Sequence, residues 1–434
     1  MKMSPEALRS SDFPRKGAGV LAAVRRLAGS LFLCAALSSP ALAAAQQIDE
    51  YQWQGVDRVV ALGDLHGDYD SYLSALRAAA IVDTRGRWIA GQAHLVQTGD
   101  IPDRGPDTRK IIAHMRQLAS QARRQGGRVH HLIGNHEAMN VYGDLRYVTP
   151  GEYQAFVTRN AESLRDRYFD KVLQNLAPEQ AGNAAANPEE FKRQWQKKHP
   201  LGWVEHRLAW DPGWNPRGEY FQWVMQGKVA IRINDMIFLH GGLSGRYCQN
   251  SLESLTMKAR EALRRNDPQS SSILNDDHGP LWYRGLSGVP PEAAPETVAA
   301  ILRRHAARRI VVGHTPTGGA IWPRYNGQVI QIDTGLGAAY GGRVAYLEAT
   351  GDGLFAGYPS ARIRLPANDA GRVAYLEQVI ALQPGNAALT ARLAALRAAS
   401  GAGDALPQSE ETPAADALEP AFSAETMPIC DISQ

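Results

Sequence analysis

"RVVALGDLHGDYD", residues 58–70, joins an uninterrupted apolar run to a turn crowded with glycine, aspartate and histidine. Val59-Val60-Ala61-Leu62 has the length and branched content of a buried strand, and Gly63 marks its end. Asp64 and His66 then stand at a strand terminus, where α/β folds gather their ligands. Downstream the pattern repeats. "HLVQTGD" (94–100) and "VHHLIGNHE" (129–137) are two further apolar runs that end in polar residues. Between them lie the helical stretches "YDSYLSALRAAAIV" (69–82) and "DTRKIIAHMRQLASQARRQG" (107–126). Strand–helix–strand–helix–strand predicts a largely parallel sheet with helices packed on it.

From 143 to 222 the chain turns polar and aromatic, with helical segments such as "EEFKRQWQKK" (189–198). This reads as an inserted, mostly helical cap. Strands resume at "KVAIRI" and "MIFLHGG", with Asn234-Asp235 as a two-residue hairpin turn. After a helical stretch near 252–266 come "RRIVVGHT", "QVIQIDTG" and "RVAYLEATGDGLFAGY". Short turns between these later strands predict antiparallel pairing in a second sheet. Residues 371–399 read as a helical hairpin around Pro384-Gly385. No Lys or Arg follows Arg397, so the tail reads as disordered.

The 434 residues, 44% hydrophobic and 21% charged, fit a soluble globular protein. The net charge of +3 is concentrated at the start, where residues 1–45 carry six Lys or Arg against two acids. The remainder is near neutral, which argues against nucleic acid as a partner. Arg25-Arg26 before "LAGSLFLCAALSSPALA" reads as an export signal cleaved near Ala43–Ala45. The apolar stretch is shorter than the ~20 residues of a spanning helix, so no stable membrane anchor is expected. The mature chain is then exported and periplasmic. It keeps Cys248 and Cys430, which either pair or remain two separate thiols.

Five apolar strands end in groups able to bind metal: Asp64 and His66, Asp100, Asn135 with His136, His240, and His314. One such ending means little, and turn or capping chemistry explains it. Five in series, mixing carboxylate, imidazole and amide, point to a shared site for two divalent cations of the Mn, Fe or Zn kind. Asp100, central in the order, is the candidate bridge. Histidines 94, 114, 130, 131, 206, 278 and 305 read as structural or solvated, and Lys197-Lys198 as a solvated helix face. Asp333 and Tyr340 lie near the pattern, with a turn-forming role the simpler reading for Asp333.

"GDLHGD", "GDIPDRG" and "GNHE", in that order, resemble the signature of the calcineurin-like metallophosphoesterases of the phosphoprotein phosphatase type. "GNHEAMNVYGDLRYVTPGEY", "HPLGWVEHR", "GPLWYRG" and "IDTGLGAAYGG" are similar to the Shewanella-like protein phosphatase group. The resemblance runs from about Val59 to Glu348. It implies a four-layer α/β/β/α sandwich of two mixed sheets flanked by helices. The expected division is a signal at 1–45, a catalytic domain at 46–360 containing the cap, a helical hairpin at 361–400 and a tail at 401–434.

The resemblance also assigns roles. Asp64, His66 and Asp100 would hold one metal, and Asp100, Asn135, His240 and His314 the other. His136, oriented by Asp103, would protonate the leaving oxygen, while Arg104 and Arg284 grip the phosphate. The chemistry agrees: a phosphomonoester dianion needs positive charge and a strong nucleophile, and metal-bound water, with a pKa of about 7, supplies hydroxide for in-line attack. Paired N–H donors of arginine match phosphate oxygens.

The expected substrates are phosphorylated proteins, peptides or small phosphomonoesters, with a lean toward phosphotyrosine. A nucleotide or diadenosine polyphosphate hydrolase shares two of the motifs, but the cap and "GDLRYVTPGEY" argue against it. An idle metal-binding scaffold is disfavoured because every expected ligand and His136 are present.

Overall fold

Parity along β3 (Arg58–Leu62) sets the layering. Val59 and Ala61 point to one apolar core, while Val60 and Leu62 point to another. Alternate side chains of a strand face opposite sides, so a strand apolar at every position is buried on both. Val60 and Leu62 are fully buried, each contributing about 1.5–3 kcal/mol. The computed structural model describes residues 46–266, 272–290, 292–399 and Cys430. The expected export signal at 1–45 and most of the expected tail at 401–434 lie outside the described residues.

Before β3 come β1 (Gln46–Asp49) and β2 (Gln52–Gln54). After it, β4 (His94–Gln97) pairs in parallel with β3, and β5 (Arg128–His131) in parallel with β4, the strands joined through α1 (Tyr69–Ala78) and α2 (Thr108–Arg124). Asp68 caps α1 by accepting the Ser71 N–H at 2.9 Å, so the second aspartate of the opening stretch is a helix cap. Helix α3 (Asn135–Tyr142) follows β5 directly. Six helices succeed it: α4 (Pro150–Phe156), α5 (Ala161–Gln174), α6 (Pro178–Ala186), α7 (Pro188–Lys198), α8 (Trp203–Trp210) and α9 (Glu219–Gln226).

The chain then forms the hairpin of β6 (Ala230–Ile233) and β7 (Met236–Leu239), with Asn234 in the left-handed region at φ 54°. Helices α10 (Leu252–Arg265) and α11 (Pro295–Arg304) lead to β8 (Arg309–Val312). Next come β9 (Trp322–Arg324), β10 (Val329–Gln331), β11 (Tyr346–Thr350), β12 (Gly353–Tyr358) and β13 (Ala361–Arg364). Helices α12 (Arg372–Leu382) and α13 (Ala387–Ala399) follow.

Two mixed sheets result. One has seven strands in the order β1-β2-β6-β7-β8-β10-β9, the other six in the order β13-β12-β11-β3-β4-β5. The core between them holds Val59, Ala61 and Val96 from the second sheet with Phe238, Val311 and Ile330 from the first. Opposite-parity residues, including Leu62, Leu95, Ile237, Leu239 and Ile310, pack outward with Leu76, Ile111, Leu255 and Ile301 of the helices. The order is helix, sheet, sheet, helix. Tyr375, Leu376, Val379 and Leu389 of the α12–α13 pair join the inter-sheet core.

One expectation needs correction. The later strands do not form a second antiparallel sheet of their own. β7 and β8 run parallel because two helices separate them, and β10 also runs parallel to β8. The antiparallel run β11–β12–β13 instead extends the six-stranded sheet, β11 pairing with β3. The cysteine question is also answered: Cys248 and Cys430 form a disulfide with Cα atoms 6.0 Å apart. Among the described residues no helix is long and apolar enough to cross a membrane.

Candidate metal centre and active site

Strands β3, β4 and β5 of one sheet and β7 and β8 of the other end at the same place. The loops after them carry Asp64, His66, Asp100, Asn135, His240 and His314, none more than 5% exposed. The backbones interlock: Leu65 N–H and His66 N–H both donate to the Asp100 carbonyl, at 2.9 and 3.0 Å.

Hydrogen bonds fix which ring nitrogens carry protons. His240 Nδ1 donates to the Thr98 carbonyl at 3.0 Å, leaving an electron pair on Nε2. That nitrogen lies 2.8 Å from Asn135 Oδ1, 3.1 Å from His314 Nδ1 and 3.2 Å from Asp100 Oδ2. His314 Nε2 in turn faces the Trp282 carbonyl at 3.1 Å, so its Nδ1 also presents an electron pair. Four acceptors therefore converge. A single proton reconciles two of them, whereas one cation satisfies all four. The residues fit a divalent metal.

A second group adjoins the first. His66 Nδ1 points at the Pro102 carbonyl, 3.3 Å away, leaving Nε2 4.0 Å from Asp64 Oδ2. Among the described residues, His66, Asp100 and His136 bring ligand atoms within 4.8 Å of one another, as do Asp100, His240 and His314. Asp100 belongs to both groups. Asp64 sits between them, with its Oδ1 3.9 Å from His240 Nδ1. Its carboxylate accepts the His314 N–H at 3.1 Å.

The electrostatics agree with bound cations. Burial and the neighbouring His136 push the His66 imidazole down to about 3, and burial, Arg284 and His240 hold His314 well below its usual range. Both rings are thus neutral ligands at neutral pH. Burial and the nearby Asp333 and Asp100 raise the Asp64 carboxyl, a repulsion that a cation relieves.

The local backbone is unusual. His66 (φ 47°), Asp100 (57°), Asp103 (72°), Arg104 (65°) and His314 (65°) all adopt left-handed conformations. Each costs of order 1–3 kcal/mol, and such residues persist only where the surroundings hold them. Glu137 supplies part of that hold. Its carboxylate accepts the N–H groups of Asp100, Ile101 and Gly134 at 2.8–2.9 Å.

Gly99 and Gly134 allow the two loops to touch. At φ 106°, Gly99 has its missing Cβ aimed 2.5 Å from Gly134 N, and a Cβ on Gly134 would lie 2.1 Å from Asp100 Oδ1. We expect Gly134→Ala to displace the Asp100 carboxylate and lower bound metal, read by elemental analysis of purified protein. Full metal occupancy in that variant contradicts this packing account.

Beside the acceptors, His136 Nδ1 donates to Asp103 Oδ2 at 2.5 Å, and Asn140 Nδ2 donates to the other oxygen at 3.0 Å. The His136 N–H donates to Asp100 Oδ1 at 3.0 Å. Burial alone lowers the His136 pKa, but the Asp100 and Asp103 carboxylates outweigh it and hold the ring up at about 9. The Arg104 guanidinium lies 4.0 Å from the Tyr147 ring and 5.5 Å from that of Tyr340. Arg284 Nη1 donates to the His314 carbonyl at 2.8 Å.

All ten residues singled out in the sequence thus gather in one region. Tyr340 joins them, its ring 4.9 Å from His66. Asp333 forms the turn expected of it, accepting the Gly335 N–H at 2.9 Å. Glu137 and Tyr147 were not anticipated. Glu137 stands third in its helix, a capping position that gave a usable signal.

A sequence model described as calcineurin-like phosphoesterase matches residues 57–318. The chain belongs to that family. This phosphoesterase is 32% identical over 296 residues to an uncharacterized Schizosaccharomyces pombe protein, covering 67% of this chain and 76% of the relative. It is 27% identical to Shewanella-like protein phosphatase 2 of Arabidopsis thaliana, covering 67% and 74%. A solved structure of a cold-active protein-tyrosine phosphatase from a psychrophilic Shewanella species superposes with a TM-score of 0.54 at 28% identity. It covers 73% of the phosphoesterase and 82% of that chain.

Proposed function

We propose that this phosphoesterase is a dinuclear metal-dependent phosphatase that hydrolyses phosphomonoesters on proteins or peptides, with phosphotyrosine favoured. The observation that carries the reading is the Asp100 carboxylate, common to two convergent groups of side chains that could hold a metal. Asp64, His66 and Asp100 would hold one cation of the Mn, Fe or Zn kind, and Asp100, Asn135, His240 and His314 the other. When bound, such ions supply charge to receive the phosphate and the acidity that makes water a nucleophile at neutral pH.

The chain's own groups do the rest. Arg104 and Arg284 orient phosphate oxygens with paired N–H donors. As the P–O bond breaks, the departing oxygen takes the proton from His136 Nε2. Asp103 holds the ring through Nδ1 and stabilises its charged form. The products are a free hydroxyl and inorganic phosphate. The relatives named as protein phosphatases, one of them a protein-tyrosine phosphatase, support the choice of substrate class. The N-terminal signal and the disulfide support export to the periplasm.

The test uses metal-stripped protein re-supplied in turn with Mn, Fe, Zn and Mg, assayed on phosphotyrosyl, phosphoseryl and phosphothreonyl peptides and on diadenosine tetraphosphate. Metal-dependent turnover, fastest on the phosphotyrosyl peptide, is expected. Faster dinucleotide cleavage overturns the assignment.

A further inference from the structure

The two residues that flank the reacting phosphate in this reading, Asp103 and Arg104, are consecutive and both left-handed, at φ 72° and 65°. Aspartate visits this region more readily than most residues and arginine rarely does, so two in succession are held there by outside contacts. The imposing contacts come from one short segment at the start of the helical insert. The Arg104 N–H donates to the Tyr147 carbonyl at 3.0 Å. The Asp103 N–H donates to Glu152 Oε2 at 3.2 Å.

Glu152 is itself firmly placed. It lies in the first turn of α4, where the Thr149 side chain accepts its N–H at 3.2 Å. Its side chain is fully buried, and Oε1 faces His206 Nε2 of α8 at 4.0 Å. His206 is in turn walled by the Phe156 ring at 4.8 Å and the Tyr153 ring at 5.4 Å. A buried carboxyl group with no metal ligand beside it serves no obvious purpose in the insert's own packing. Its partners instead lie outside the insert, at Thr108 and at the Asp103 N–H of the loop.

We propose that Glu152 is a positioning residue for the reaction. By accepting the Asp103 N–H it holds the 103–104 backbone in the conformation that points Asp103 at His136 and Arg104 at the phosphate. The helical insert is then part of the catalytic apparatus through this contact. The inference rests on the phosphatase reading above, with His136 as the acid.

Because His136 acts on the leaving oxygen, loss of its orientation matters most where that oxygen needs a proton. The experiment compares p-nitrophenyl phosphate, whose leaving group departs readily, with phenyl phosphate, whose leaving group does not. Glu152→Ala and Glu152→Asp, which cannot reach the Asp103 N–H, are expected to lower kcat on phenyl phosphate about 10–100-fold, the size typical of removing an orienting partner. On p-nitrophenyl phosphate the loss is expected to be several times smaller, with bound metal unchanged. Glu152→Gln keeps a carbonyl oxygen at the same reach and is expected to restore the wild-type ratio of the two rates.

Equal losses on both substrates, or a Gln variant as impaired as the Ala variant, overturn the proposal. If the Ala variant does not fold, the Asp and Gln pair carries the comparison. A wild-type protein inactive on both esters with every metal instead refutes the phosphatase reading, so the two failures are distinguishable.

Discussion

Replacing Asp100 with asparagine is expected to reduce kcat roughly a thousandfold and to strip metal from the protein. The physical reason is the position of its carboxylate. Oδ2 lies 3.2 Å from His240 Nε2 and 3.8 Å from His136 Nε2, while Oδ1 accepts the His136 N–H at 3.0 Å. Although burial raises its pKa, His240 and His136 overcome that and hold the carboxyl well below the usual range, so it is an anion at working pH. Asparagine keeps the volume and one acceptor for the His136 N–H, and the loop is expected to fold. It loses the negative charge that both sets of acceptors share. Loss of about 4 kcal/mol of charge stabilisation corresponds to about a thousandfold in rate. Elemental analysis and steady-state kinetics measure the two effects. A variant with two bound ions per chain and a rate within a few-fold of wild type contradicts the shared-ligand account.

The second large effect is expected at His136. Its replacement by asparagine should lower kcat about 10²–10⁴-fold on esters with poor leaving groups, the range set by losing a positioned acid. The pH dependence has a definite sign. The folded-state pKa is raised to about 9 by the two carboxylates against the effect of burial. The protonated, acid-competent form is therefore present below that value and lost as pH rises through it. Cations bound at Asp100 lower the ring's pKa, so the descending limb falls at or below about pH 9. Asp103→Asn removes one of the two raising charges and is expected to move that limb to lower pH. A limb that stays in place, or moves to higher pH, means that another group supplies the proton.

Much of this site was legible in the chain because each ligand follows an apolar run directly. A run such as Leu95-Val96 has no stable place except a buried strand, and its end fixes where Asp100 emerges. Strand termini alone thus pointed to side chains that the fold brings together. What the sequence did not disclose was conformation set at a distance. Aspartate and histidine adopt positive φ more often than most residues, but which of them do so here depends on partners such as the Asp100 and Tyr147 carbonyls. The pairing of β11 with β3 was hidden for the same reason. Alternation reveals faces but not neighbours, and the Arg58–Glu348 ion pair that accompanies this pairing spans 290 positions. The Cys248–Cys430 bond, 182 positions apart, belongs in the same class.

That bond gives the molecule a closed covalent ring. A protease that cuts once anywhere between residues 249 and 429 does not divide the polypeptide, because the sulfur bridge still joins the pieces. On a denaturing gel such nicked material migrates as one species until thiol is added, when it separates into two. An affinity tag fused after Gln434 is likewise retained by a nicked body and lost on reduction. Purification through that end therefore preserves cleaved protein that a reducing wash would discard.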